Sequence, residues 1–208
     1  MISILIADDH AIVREGLKQI VSEETDMKVL GEAEDAASLF KLLEKGEWDI
    51  IVLDINMPGK SGIEALKELQ ISHPRLPVLI LSMYGEEQYG LRSIKAGAAG
   101  YLKKVSAPNE LVTAIRKIVG GSKYISPSLG ESLAETLGGN SLQSHSNLSD
   151  REFEVLCKIA SGKSAEQIAE ELYISVHTVY SYRARILEKM HMKSSVELTK
   201  YAVQNNLL

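Results

Sequence analysis

The sequence predicts an α/β domain built on a doubly wound, parallel, five-stranded sheet, followed by a small all-α domain of four short helices. Three observations lead there. Over residues 1–120, short β-branched runs alternate with amphipathic stretches, the pattern of βα units in a parallel sheet. The central runs are apolar throughout, as strands covered on both faces are. After Asn147 such runs cease, and apolar residues recur at three- and four-residue spacing instead.

Strands are expected at residues 2–7, 28–33, 49–54, 78–82 and 100–102. Helices fill the gaps, carried by Ser38, Leu39, Leu42 and Leu43 in one and by Ile63, Leu66 and Leu69 in another. Pro58-Gly59, Pro74, Pro77, Gly97 and Gly100 punctuate the units. Residues 121–147 turn small and polar, ending in GGNSLQSHSN, and read as a linker. Its first part has Leu129, Leu133 and Leu137 spaced by four, which suits a short helix. Residues 148–208 form the second domain, with helices near 149–161, 165–173, 176–190 and 194–205. Ser149, Ser164, Ser175 and Ser194 precede them as N-caps.

A chain of 208 residues accommodates one ordinary domain and a smaller one. With 45% hydrophobic and 25% charged residues it has neither a disordered nor a low-complexity composition. Apolar runs such as 4–7 and 50–53 are far below the roughly 20 residues of a membrane span. The N-terminus has no basic region of the secretory kind, so a cytoplasmic location is expected. Cys157, the single cysteine, lies among Val155, Leu156 and Ile159 and reads as a core residue. Charge gives no easy sign of nucleic-acid binding: residues 148–208 hold 8 Lys and Arg against 8 Asp and Glu.

Position is more informative than composition. Asp8 and Asp9 follow the first strand, Asp54 closes the third, Ser82 closes the fourth, and Lys104 lies just beyond the fifth. In a doubly wound sheet the carboxyl ends of the strands meet in one crevice, where such folds bind ligands. Single acids at strand ends are often only solvated loop residues, but five polar groups falling there together argue for a site. Three crowded carboxylates repel one another, and Mg²⁺, with its hard oxygen ligands, relieves that repulsion. A carboxylate beside a metal can attack a phosphoryl group, which makes Asp54 the candidate nucleophile. Lys104 neutralises phosphoryl oxygens and Ser82 donates a hydrogen bond to one of them.

The segments ADDH, VLDINMPGKSG, LILS and GYLKK, at these separations, resemble the receiver domain of response regulators over residues 1–120. The resemblance implies a flavodoxin-like fold, an Mg²⁺ site of Asp8, Asp9, Asp54 and the Asn56 backbone carbonyl, and phosphorylation of Asp54 by a sensor histidine kinase. It further implies phosphoryl sensing by Ser82, Tyr101 and Lys104. Lys103 is a neighbouring candidate, and Lys104 is preferred because the family's lysine stands three residues after the aromatic. His10 reads as capping or lining the first helix, and Trp48 as a cover on the sheet.

The segment from Leu148 to Ser194 resembles the LuxR-type helix-turn-helix through Leu148, Arg151, Glu152, Val155, Leu156, Gly162, Ile168, Ala169, Leu172, Ile174, Ser175, Thr178, Val179, Ile186 and Lys189. The whole chain thereby resembles the NarL/FixJ class of DNA-binding response regulators. On the third of the four helices, with Val179 inward, Ile186 and Met190 share its face with Leu187 beside them. His177, Tyr180, Ser181, Ala184 and Glu188 point the other way, toward the major groove of double-stranded DNA. His177, Thr178, Tyr180, Ser181, Ala184, Arg185 and Lys189 are the expected DNA contacts, with Lys193 as a further phosphate contact. Arg183 either reaches DNA or pairs with Glu152 or Glu154. Tyr180 and Tyr182 stand where the family usually has Lys and His, so the base preference departs from the common one.

The last helix carries more apolar surface than one small domain requires. The family places a dimer contact there, which implies Val196, Thr199 and Val203 at a two-fold interface, in a homodimer formed on phosphorylation or on DNA; the alternative is that they pack inward. A haloacid dehalogenase-type phosphatase also forms an aspartyl phosphate, but it needs a second Asp where Asn56 stands. The expectation is therefore a regulator and not an enzyme.

Overall fold

The computed structural model describes residues 1–137 and 144–207, and the chain divides into two compact units, Met1–Glu131 and Ser132–Leu208. Of the linker expected at 121–147, residues 138–143 lie outside the described residues, while 121–131 belong to the first unit.

In the first unit β1 (Ile2–Ala7), β2 (Met27–Ala33), β3 (Ile50–Asp54), β4 (Val78–Ser82) and β5 (Gly100–Lys103) form one parallel sheet in the order β2-β1-β3-β4-β5. Strand order reverses between β1 and β3, the switch point that opens a crevice at the carboxyl ends. Every residue of β3 and β4 is buried, the physical counterpart of their unbroken apolar sequence. The edge strand β2 alternates buried and exposed positions.

The helices α1 (Ala11–Ser22), α2 (Ala36–Leu43), α3 (Gly62–Ser72), α4 (Leu91–Lys95) and α5 (Ala107–Val119) follow the strands in turn. On one face Leu17 and Val21 of α1 and Leu111, Ile115 and Ile118 of α5 pack on Ile4, Ile6, Val52, Leu79 and Leu81. Asp35 and Ser61 start α2 and α3 with reciprocal capping boxes. Trp48 lies over β2, where a Cβ at Gly31 would stand 2.4 Å from its ring. A π-helical turn, Glu86–Gly90, precedes α4 and buries Gln88 and Tyr89; helical periodicity in the sequence does not reveal it. α6 (Pro127–Leu137) begins in the first unit.

In the second unit α7 (Asp150–Ala160), α8 (Ala165–Leu172), α9 (Val176–Lys189) and α10 (Ser195–Gln204) each start from a serine whose side chain accepts a backbone N–H of the first turn: Ser149, Ser164, Ser175 and Ser194. Tyr173, at φ 55°, makes the left-handed turn between α8 and α9. Phe153, Leu156, Ile168, Val179, Ile186, Leu198 and Ala202 fill the core, and Cys157 is buried as well. Among the described residues, no helix is long and apolar enough to cross a membrane.

Candidate functional site

At the switch point β1 delivers Asp8 and β3 delivers Asp54, both almost wholly buried. Lys104, from the 3₁₀ turn after β5, lies between them: its Nζ is 2.6 Å from Asp8 Oδ2 and 2.9 Å from Asp54 Oδ2. Lys103 points elsewhere, its Nζ 4.0 Å from Glu87. Neighbouring residues at a strand end face opposite sides, so only one of the two lysines can enter the crevice.

Burial pushes the Asp54 carboxyl up to about 6, against the pull of Lys104 and with the added repulsion of Asp8. Burial alone would lower Lys104, but Asp54 and Asp8 outweigh it and hold the ammonium above its ordinary range. Two buried carboxylates and one buried ammonium leave a net negative charge in a dry place. Such a site favours a further cation.

The donor set fits one. Asp8, Asp9, His10 and Asp54 each offer a ligand atom, all within 4.8 Å of one another. Despite its short approach to Lys104, Asp8 Oδ2 has no well-aligned hydrogen bond, and the side-chain oxygen of Asn56 is likewise buried without one. Hard, unsatisfied oxygen atoms suit Mg²⁺. His10 was not among the residues the sequence suggested for this cluster. It occupies the N-cap position of α1 without a side-chain capping bond, and its Nδ1 lies 2.7 Å from Asp9 Oδ1, its ring largely exposed.

Ser82 is fully buried at the end of β4 and its Oγ accepts the Tyr84 N–H at 3.2 Å. Tyr101, on β5, is turned inward and is 1% exposed; its hydroxyl donates to the carbonyls of Tyr84 at 2.9 Å and Gly85 at 3.3 Å. Burial raises its phenol far above the ordinary range. The structure therefore brings Asp8, Asp9, Asp54 and Lys104 together, with Asn56 just after Asp54. Ser82 and Tyr101 line the adjoining β4–α4 loop.

On α9 the outward residues His177, Tyr180, Ala184, Arg185 and Glu188 are exposed, while Thr178 and Ser181 are half-buried. The Ser181 hydroxyl donates to the His177 carbonyl, and Thr178 shares a hydroxyl contact with Ser175 at 2.8 Å. One expectation changes. Arg183 pairs with neither Glu152 nor Glu154: its Nε donates to Ser195 Oγ at 2.8 Å, while Glu154 is held by Arg151. Lys189, expected at DNA, places its Nζ 2.7 Å from the buried Glu152 carboxylate. Burial would raise Glu152, but Lys189 and the Ser149 cap hold it below the ordinary carboxylate range. On α10, Val196 and Val203 are exposed and Thr199 is half-buried, its hydroxyl donating to the Ser195 carbonyl.

Residues 4–116 match the response regulator receiver domain family, and residues 146–202 match the bacterial regulatory proteins, luxR family. Over 213 aligned residues the chain is 36% identical to the oxygen regulatory protein NreC of Staphylococcus carnosus (strain TM300), covering 99% of this chain and 98% of that protein. NreC of Staphylococcus aureus (strain MRSA252) matches to the same extent. Among solved structures, the RcsB response regulator of Salmonella typhimurium superposes with a TM-score of 0.72 at 26% identity, covering 98% of each chain. RcsB from Salmonella enterica serovar Typhimurium, bound to promoter rprA in the presence of phosphomimetic BeF3-, gives a TM-score of 0.67 at 26% identity, covering 96% of this chain and 97% of that one.

Proposed function

This chain belongs to the response regulators that join a receiver domain to a luxR-family DNA-binding domain, and on that premise we propose that Asp54 is the residue that takes the phosphoryl group. The protein is a phosphorylation-controlled, DNA-binding transcription regulator, not an enzyme. The observation that carries the assignment of Asp54 is the Lys104 ammonium, poised 2.9 Å from Asp54 and 2.6 Å from Asp8 at the switch point. Asp54 is a buried carboxylate at the end of β3, beside a fixed positive charge.

A carboxylate oxygen of Asp54 attacks the phosphorus of a histidine kinase's phosphohistidine. The new O–P bond forms as the P–N bond breaks, and the bonding pair stays on the donor imidazole. Lys104 balances charge on the transferred oxygens, and Ser82 donates its hydroxyl to one of them. Asp8, Asp9, Asp54 and the Asn56 carbonyl would hold Mg²⁺, which neutralises the phosphoryl oxygens when bound. A phosphoryl group adds about −1.5 to −2 charge. That holds the buried Ser82 toward the phosphoryl group and favours the inward position of the Tyr101 ring.

For DNA, the exposed residues of α9 enter the major groove, with His177, Tyr180, Ala184 and Arg185 foremost and Thr178 and Ser181 beside them. Lys189 holds α9 to α7 through Glu152 and, being partly exposed with further N–H groups to offer, also serves as a phosphate contact. Val196, Thr199 and Val203 of α10 form the two-fold contact. RcsB, which this chain resembles, has been solved as two dimers bound to two parallel DNAs, which supports a dimer on DNA. A histidine kinase as phosphodonor and DNA as target support a cytoplasmic location.

Mass spectrometry of protein treated with Mg²⁺ and a small phosphodonor tests the assignment. One phosphoryl adduct is expected, absent without Mg²⁺ and absent in Asp54→Asn. An adduct that persists in Asp54→Asn overturns it.

A further inference from the structure

The segment that leaves α5 does not simply depart toward the second unit. Residues 123–126 run along the free edge of β5: the Tyr101 N–H donates to the Tyr124 carbonyl at 3.1 Å, and the Tyr124 N–H donates to the Ala99 carbonyl at 2.9 Å. Gly100 and Tyr124 form a parallel bridge, and a Cβ at Gly100 would meet the Tyr124 carbonyl at 2.7 Å. Side chains fix the segment on both flanks. The Tyr124 hydroxyl donates to Glu110 of α5 at 2.6 Å, and Ser126 donates to Glu86 of the π-helical turn. Leu129, in the first turn of α6, is 3% exposed and packs over Gly90.

Beneath this segment is a cavity of about 330 Å³ walled by Tyr101, Glu86, Glu110, Tyr124, Ile125 and Ser126. The same backbone that carries Tyr101 is thus hydrogen-bonded to Tyr124, and the segment forms one wall of the cavity beside the Tyr101 ring.

We propose that residues 123–129 are a strap that reads the position of Tyr101, docked on the β5 edge while the ring is inward and loosened when the ring swings out. The proposal rests on Tyr101 as the phosphoryl-sensing aromatic. An outward ring fills the cavity and presses on Ile125 and Ser126, straining the Tyr101–Tyr124 pair and the seat of Leu129 on Gly90. Phosphorylation, by favouring the inward ring, tightens the strap. Since the strap leads directly into α6, its release frees seven residues, up to roughly 25 Å of additional reach for the tether to the second unit. Docking and release thus set the tether's effective length, and with it the local concentration that one unit presents to the other. Coupling of this kind is reciprocal, so a change in the strap must also act on the ring.

Hydrogen exchange on the full chain, read by mass spectrometry over residues 123–129, tests the coupling. In unphosphorylated Tyr101→Phe, which keeps the ring but loses its hydrogen bonds to Tyr84 and Gly85, exchange of the strap is expected to be about tenfold faster while β1 and β3 keep their protection. In Tyr101→Ala, which has no ring to enter the cavity, strap exchange is expected to stay within twofold of the wild type. Treating the wild type with Mg²⁺ and a phosphodonor should slow strap exchange at least threefold once the adduct has formed. Leu129→Ser should form the adduct yet lose that slowing. Unchanged strap exchange in Tyr101→Phe overturns the proposal, as does acceleration in Tyr101→Ala equal to that in Tyr101→Phe, or unchanged exchange in protein shown to carry the adduct. If no adduct forms on Asp54, the phosphoacceptor assignment fails, and the strap is decided by the Tyr101 variants, which need no phosphate.

Discussion

Asp54 shows how a functional residue trades stability for chemistry. Its carboxyl is raised from an ordinary 3.8 to about 6, so the folded protein holds this proton more tightly than the unfolded chain does. Stability therefore falls as pH rises from about 4 to about 6, because the native state must surrender a proton that the unfolded state has already lost. A bound cation reverses that penalty. Mg²⁺ is expected to raise the melting temperature more at pH 7 than at pH 5, measured by differential scanning calorimetry, and Asp54→Asn should abolish most of the difference. The Glu152–Lys189 pair has the opposite sign. Glu152 is held below its ordinary value, so its contribution is complete above about pH 4.5 and is lost as pH falls through its lowered value. Lys189→Ala leaves a buried carboxylate without its partner and is expected to destabilise the second unit by about 1–2 kcal/mol, read from urea unfolding at pH 7. A Lys189 engaged only with DNA would leave that midpoint unmoved.

At the scale of elements, the site depends on how closely α3 approaches β3. A Cβ at Gly62 would fall 2.0 Å from the Asp54 carbonyl and 2.8 Å from the Ile55 Cα, both backbone atoms that cannot yield. Gly62→Ala must push α3 off the strand that carries Asp54, the proposed phosphoacceptor. A loss of about 3 kcal/mol in chemical denaturation is expected, together with slower adduct formation at Asp54. The helices of the second unit are started by their serines. Ser149→Ala removes the acceptor for the Glu152 N–H and should lower stability by about 1 kcal/mol, whereas Ser149→Asp should retain most of it. The π-helical turn at Glu86–Gly90 supplies both the carboxylate that holds Ser126 and the glycine under Leu129. It is thus an anchoring element for the strap, in keeping with the tendency of such turns to occur at functional sites.

For the whole molecule, charge and apolar surface set the terms of DNA binding. The second unit carries few cations, and some of them are already committed: Arg151 to Glu154, Lys158 and Lys163 to Glu171, and Lys189 to Glu152. One copy therefore releases few counterions and binds weakly, and pairing on two half-sites compensates. Val196 is 77% exposed and Val203 is 59% exposed, the apolar residues of the proposed two-fold contact. Burying two or three such side chains gives only a few kcal/mol before association is opposed by lost freedom. Sedimentation is accordingly expected to find monomers before phosphodonor treatment and dimers after it or on DNA. Val203→Glu should stay folded, remain monomeric and lose affinity for a two-half-site operator at least tenfold; wild-type affinity in that variant would place the interface elsewhere.

What the sequence determined by itself was whatever depends on local spacing and on the topology that spacing forces. Five apolar runs separated by helical periods specify a doubly wound parallel sheet, and a doubly wound sheet brings the ends of β1, β3 and β5 together, so Asp8, Asp54 and Lys104 were legible as one cluster. The four serine caps were legible because capping is a contact over three residues. Tertiary structure alone decided the pairings between side chains distant in sequence. It set Lys189 on Glu152 and Arg183 on Ser195, because helical periodicity gives a residue's face but not its neighbour across the interface. It also turned part of a polar linker into a strap on β5, since that docking rests on backbone hydrogen bonds, which any residue can make and which leave no signature in the choice of side chains.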